Sequence, residues 1–135
     1  MDMNNKISLK LPDLYVCKVA IIGLGYVGLP LAVLISQRYK CSSTKREIRR
    51  EVIGFDINKE RIDELNKNFD RTLEVNQEEL KSLKNIIFVD DINRLIDADV
   101  FIITVPTPVD KNNTPDLSFT INASNKVGEL LLRRK

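Results

Sequence analysis

The sequence predicts an α/β fold, a doubly wound parallel sheet with helices on both faces. Three observations carry that prediction. Short, continuously apolar runs recur along the chain, such as Val19-Ala-Ile-Ile22, Val52-Ile-Gly-Phe55 and Val100-Phe-Ile-Ile103, as parallel strands covered on both faces require. Helix-compatible stretches separate these runs, and that alternation implies parallel pairing through right-handed crossovers. The first run leads into Gly23-Leu-Gly-Tyr-Val-Gly28 and an apolar helical pattern, which reads as strand, glycine turn and helix N-terminus. The expected strand order is 3-2-1-4, a truncated Rossmann-type sheet made of the first half of a doubly wound fold plus one strand of the second.

Taken in order, residues 1–14 are polar, contain Pro12, and read as a flexible leader before a single dinucleotide-binding domain over 15–135. Residues 15–22 form the first strand, apolar apart from Lys18, and residues 27–37 the first helix. Pro30 suits its first turn, where a missing N–H has no intrahelical partner to lose. Residues 40–50 follow, with five basic side chains and one acidic. A solvated surface insertion is favoured there over a basic patch for an anionic partner, and Thr44 with Glu47 has the spacing to cap an extra helical turn.

The second strand covers 51–55 and ends at Asp56. A helix from 58 or 59 to 67 places Ile62 and Leu65 on one face. A loop (68–75), a short helix (76–83), the third strand (86–89) and a helical turn (92–96) come next. The fourth strand covers 100–105 and is stopped by Pro106-Thr-Pro108, which cannot extend a central ladder. After a loop over 111–115, a helix over 117–132 offers Ile121, Val127, Leu130 and Leu131 as buried candidates. That helix should feed a fifth strand, and none follows.

Composition narrows the chemistry. With 135 residues and 43% hydrophobic content, the chain has the make-up of one ordinary domain and is too short for a two-domain dehydrogenase. A net charge of +2 argues neither for nor against nucleic acid. There is no histidine, so imidazole catalysis and histidine metal sites are excluded within these residues. Cys17 and Cys41 form no C-x-x-C pair and read as reduced thiols of a cytoplasmic protein, neither with a base beside it in sequence. Residues 19–37 lack charge over nearly the ~20 residues of a membrane helix, but three glycines and a proline at dinucleotide spacing favour strand, turn and helix.

Each glycine has its own task. Gly23 permits the tight turn, Gly25 lets the backbone approach a phosphate, and Gly28 lets the helix pack on its strand. The anion then rests on unpaired N–H groups at the positive end of the helix. Asp56 ends the second strand, where a carboxylate accepts from the adenosine ribose hydroxyls and repels a 2′-phosphate, so NAD is expected over NADP. Its separation from Gly28 exceeds the usual ~20 residues, and the insertion at 40–50 accounts for the excess. The competing role for Asp56 is a helix cap. Arg61 is a candidate for the adenosine side, or else an exposed helical charge. Thr107 lies past the fourth strand at the carboxyl edge, where ligands bind, or is plain loop. Asp90, Asp91, Asp97 and Asp99 read as capping and surface groups.

With Gly23-Leu-Gly-Tyr-Val-Gly-Leu-Pro30, Val52-Ile-Gly-Phe-Asp-Ile-Asn58 and Thr104-Val-Pro-Thr-Pro108 in order, the chain resembles the UDP-glucose/GDP-mannose dehydrogenase family. Asp70-Arg-Thr-Leu-Glu-Val75 and Pro106-Thr-Pro-Val-Asp-Lys111 look most like its bacterial branch acting on UDP-N-acetylhexosamines for capsule, O-antigen or Vi-type polysaccharides. The resemblance implies oxidation of a sugar C6 alcohol to a carboxylate with two NAD, through a cysteine thiolate that forms a thiohemiacetal and then a thioester. It places that cysteine and its assisting residues downstream of position 135, so no catalytic residue is assigned here. Gly23, Gly25, Tyr26, Val27, Gly28, Asp56, Arg61 and Thr107 match positions expected to contact NAD.

The leading expectation is therefore the NAD-binding N-terminal portion of a nucleotide-sugar 6-dehydrogenase, inactive alone and meeting a UDP-sugar only beside a substrate half. No nucleic acid, membrane or metal partner is expected, and a homo-oligomer is left open. The alternative is a non-catalytic nucleotide-binding or interaction module, or the product of an interrupted gene. A methyltransferase reading is weaker, because it leaves the third glycine and Val105-Pro-Thr-Pro108 without a role.

Overall fold

A computed structural model describes residues 10–134. Residues 1–9, most of the expected leader, lie outside the described residues. Four parallel strands build the sheet: β1 (Lys18–Ile22), β4 (Glu51–Phe55), β5 (Ile86–Val89) and β6 (Val100–Ile103), in the order β5-β4-β1-β6. The short strands β2 (Tyr39–Lys40) and β3 (Glu47–Ile48) form a separate antiparallel ribbon. With that ribbon set aside, the sheet runs third, second, first, fourth in chain order.

The pleat of β1 divides the core. Val19 and Ile21 point to one face, where helices α1 (Gly28–Ser36), α2 (Lys59–Asn66) and α3 (Gln77–Ser82) bring Leu29, Ala32, Val33, Ile62, Leu65 and Leu80. Ala20 and Ile22 point to the other, with Phe55, Leu95, Ala98, Ala123 and Leu130. That face is covered by a 3₁₀ turn (Ile92–Leu95) and helix α4 (Ser118–Leu132). Each wholly buried Ile or Leu contributes roughly 1.5–3 kcal/mol relative to exposure, so alternation along one strand glues both layers to it. Asparagine side chains start two of the helices: Asn58 accepts from the Arg61 N–H, and Asn76 from the Glu79 N–H.

Four expectations need correction. Residues 15–17 are not strand, because the Asp13 carboxylate accepts the Tyr15 N–H and turns the chain before Lys18. β6 ends at Ile103, where Thr104 directs both its N–H and its hydroxyl at Ile22 O. Thr44 and Glu47 cap no helix; Glu47 pairs with Lys40 in the ribbon, and the Thr44 hydroxyl lies 3.0 Å from the Tyr15 hydroxyl. Finally, Ile121 and Leu131 are 56% and 44% exposed. Helix α4 meets the sheet through Ala123, Val127 and Leu130, a single helical stripe that leaves both of them outside.

The insertion is solvated yet tied down. Arg46 pairs with Asp13 at 2.8 Å and stacks 4.0 Å above the Tyr15 ring, and Arg50 donates to Leu14 O. Among the described residues no helix is long and apolar enough to cross a membrane; the uncharged span at 19–37 is a strand, a turn and a nine-residue helix.

Candidate functional site

The carboxyl ends of β1, β4 and β6 converge on the glycine turn. Gly23 has φ +100°, and its N–H donates to Phe55 O at 2.8 Å. A Cβ there would lie 2.8 Å from Thr104 O, so both backbone conformation and space require glycine. At Gly28 a Cβ would fall 1.7 Å from Gly23 O and 2.5 Å from the Thr104 hydroxyl. Helix α1 therefore starts against the turn itself. At Gly25 nothing lies within 4 Å of that position, which leaves the backbone bare on its outer side.

That bare side suits an anion. Among the described residues, the N–H groups of Gly25, Tyr26 and Val27 donate to no backbone carbonyl. No acidic side chain lies in the first turn of α1, and no side chain caps it. Tyr26 and Val27 are 70% and 67% exposed, so what they present to a ligand is mainly backbone. These N–H groups at the positive end of the helix could hold a pyrophosphate.

Asp56 and Arg61 grip the same peptide from two sides. Asp56 Oδ2 accepts the Leu24 N–H at 2.9 Å, and Oδ1 accepts the Asn58 N–H at 2.9 Å. A carboxylate has about four acceptor positions, so partly exposed Asp56 keeps about two without a partner among the described residues. The helix cap is Asn58, which overturns the capping role considered for Asp56. Arg61 donates from Nε to Leu24 O at 2.8 Å and is only 5% exposed. The exposed-charge alternative for Arg61 is thereby overturned. Thr107 stands exposed in the loop after β6.

Two partners were not singled out in the sequence. Thr104 donates its hydroxyl to Gly23 O at 2.8 Å and to Ile22 O at 3.2 Å, which pins β6 to the turn. Its signal was a hydroxyl residue closing an apolar strand. Asp70 is 3% exposed and stands 2.8 Å from Arg61 Nη1. This is an ion contact without hydrogen-bond alignment, and Arg61 Nη2 has no hydrogen-bond partner among the described residues. Burial pushes the Asp70 carboxyl up, but hydrogen bonds from Thr72 and Val75 and the adjacent Arg61 guanidinium outweigh it and hold the group below the usual carboxylate value. No sequence spacing announces this pair, since a polar loop residue is ordinarily exposed.

Residues 17–135 match the protein family described as "UDP-glucose/GDP-mannose dehydrogenase family, NAD binding domain". The chain belongs to that family. A UDP-N-acetyl-D-glucosamine 6-dehydrogenase of Pseudomonas aeruginosa is 45% identical to this NAD-binding domain over 114 residues, 84% of this chain and 24% of that protein. Protein CapL of Staphylococcus aureus is 46% identical over 113 residues, 84% of this chain and 24% of the relative. Among solved structures, a ternary complex of GDP-mannose dehydrogenase from Pseudomonas aeruginosa superposes with a TM-score of 0.71 at 26% identity, covering 86% of this chain and 26% of that one. A UDP-D-ManNAc dehydrogenase from Pyrococcus horikoshii gives 0.64 at 31% identity, with 84% and 26% covered. The chain spans about a quarter of the length of the relatives it matches, in which it corresponds to the domain that binds NAD.

Proposed function

We propose that this domain holds NAD for the oxidation of a nucleotide sugar, a UDP-N-acetylhexosamine, from C6 alcohol to carboxylate in polysaccharide synthesis. The reading rests first on the family match, and on relatives 44–46% identical that include two UDP-N-acetyl-D-glucosamine 6-dehydrogenases and CapL. The bound cofactor supplies a hydride acceptor, and four electrons leave the sugar for two NAD.

In this reading the protein's own part is binding and orientation. The N–H groups of Gly25, Tyr26 and Val27 hold the pyrophosphate, Gly23 and Gly28 shape the turn, and Thr107 borders the ligand from the β6 side. Asp56 accepts from the ribose hydroxyls and disfavours a 2′-phosphate by charge repulsion. Arg61 acts on the adenosine side by fixing the Leu24 peptide and keeping a positive charge beneath it. The thiolate chemistry lies in polypeptide outside these residues, so the isolated domain binds NAD without oxidising a UDP-sugar.

The observation that carries the assignment is the Asp56 carboxylate, hydrogen-bonded to the glycine turn with acceptor capacity to spare. Isothermal titration of the chain with NAD and NADP tests it. NAD should bind more tightly than NADP, and Asp56→Ala should weaken NAD by about 1.5–3 kcal/mol, the range for a hydrogen bond to a charged group. Equal affinity for both cofactors, or an Asp56→Ala variant that binds like the parent, would remove the ribose assignment.

A further inference from the structure

β5 lies at the far edge of the sheet from β6, and among the described residues no strand lies on its outer side. Val52 N–H donates to Asn85 O and Asp56 N–H to Val89 O. In a parallel ladder only alternate residues turn their N–H and C=O toward a given neighbour. Residues 85, 87 and 89 therefore face β4, and Ile86 and Phe88 direct their backbone groups outward. No charge, proline or bulge interrupts Ile86-Ile-Phe-Val89, although edge strands usually carry one of these devices. Ile87 is 45% exposed, and a cavity of about 370 Å³ runs along the strand, lined by Asn66, Asn68, Leu83, Ile87, Phe88 and Arg94 among others.

We propose that this edge is a self-association surface, on which a second copy of the chain pairs antiparallel about a two-fold axis through Ile87. The outward groups permit a register in which Ile86 pairs with Phe88 of the other copy. Ile87 then faces Ile87 across the axis, in the non-hydrogen-bonded position where side chains approach closest. The same register sets Lys84 opposite Asp90 of the other copy, twice by symmetry. Both are exposed; Asp90 follows the strand directly and Lys84 stands two residues before it. A two-fold axis makes the patch self-complementary, as a closed dimer requires. The opposite edge offers no such match: β6 has Asp97 and Asp99 before it and Thr104, Val105 and Pro106 after it, so antiparallel pairing would bring no cation to either carboxylate.

Sedimentation equilibrium of the full chain over a range of concentrations tests the proposal. The contact is four residues a side, so association should be weak and should loosen further as salt rises. Lys84→Asp and Asp90→Lys should each weaken dimerisation by roughly tenfold or more. An equimolar mixture of the two variants should recover it, since one chain is then negative at both positions and the other positive at both. Ile87→Lys should abolish the dimer with the circular dichroism spectrum unchanged. NAD titration should be the same for parent and variants, which separates failure here from failure of the cofactor reading. A parent monomeric at every concentration would overturn the proposal and leave the edge to an extended peptide of another protein. Self-association indifferent to the three variants, or a mixture no tighter than its components, would equally overturn it.

Discussion

A single peptide, Leu24, shows how the site is held. Its N–H goes to Asp56 and its C=O to Arg61, and Arg61 rests on Asp70. A poorly paired buried guanidinium is costly, so removing its nearer counter-charge, which leaves only Glu64 at 3.6 Å, should damage the fold more than a surface change would. Asp70→Ala is expected to destabilise the chain by about 3–5 kcal/mol, the range for breaking a buried ion pair. Adding Arg61→Met should cost little more, because the charge stranded by the first change is gone. Urea unfolding of both variants measures this, and strictly additive losses would refute the coupling. The Asp70 carboxylate also accepts the N–H groups of Thr72, Glu74 and Val75. It holds Leu73 at φ 56° within its own loop, a conformation a leucine seldom adopts unaided.

At the scale of elements, two glycines with the same sequence status have opposite surroundings. Gly28→Ala drives a methyl into Gly23 O and should cost the fold several kcal/mol as the helix is pushed off β1. Gly25→Ala has room, so its melting temperature should stay within a few degrees of the parent while NAD affinity falls, because the methyl occupies the face offered to phosphate. Thermal melts paired with calorimetry distinguish them, and a Gly25→Ala chain that binds NAD normally would contradict the assignment. The glycine fingerprint and the strand cores were legible because each is local chemistry: φ above zero, and short continuous apolar runs; the caps at Asn58 and Asn76 emerged only with the structure. The Arg61–Asp70 pair, the β2–β3 ribbon and the exposure of Ile121 depend on contacts between distant segments, and no window of sequence contains them. Thr104 was in view as part of a motif, yet its bond to Gly23 O needs β6 beside β1.

For the whole molecule, the absence of histidine leaves carboxylates to set the acid limit. Asp13, Glu64, Asp70 and Asp116 all lie below their ordinary values of 3.8 for Asp and 4.5 for Glu. Arg46 hydrogen-bonds Asp13, Arg71 hydrogen-bonds Glu64, and the Ser118 N–H hydrogen-bonds Asp116. Each group binds a proton more readily unfolded than folded. Its stabilisation is present above the ordinary value and is lost as pH falls through the depressed one. Urea midpoints should therefore decline below about pH 4.5; a midpoint constant down to about pH 3 would disprove this.

The insertion has a practical consequence. It joins the amino ends of the strands, whereas the glycine turn and Asp56 occupy the carboxyl ends, about 16 Å away along a five-residue strand. Within it, hydrogen bonds from Ser43 and Thr44 pull the Cys41 thiol down to about 6, while Cys17 is buried. One thiol is thus drawn toward its thiolate near neutral pH and is remote from the glycine turn. A dye attached to Cys41 would follow tumbling and assembly without occluding the glycine turn or Asp56, so the ribbon serves as a ready-made anchorage for spectroscopy.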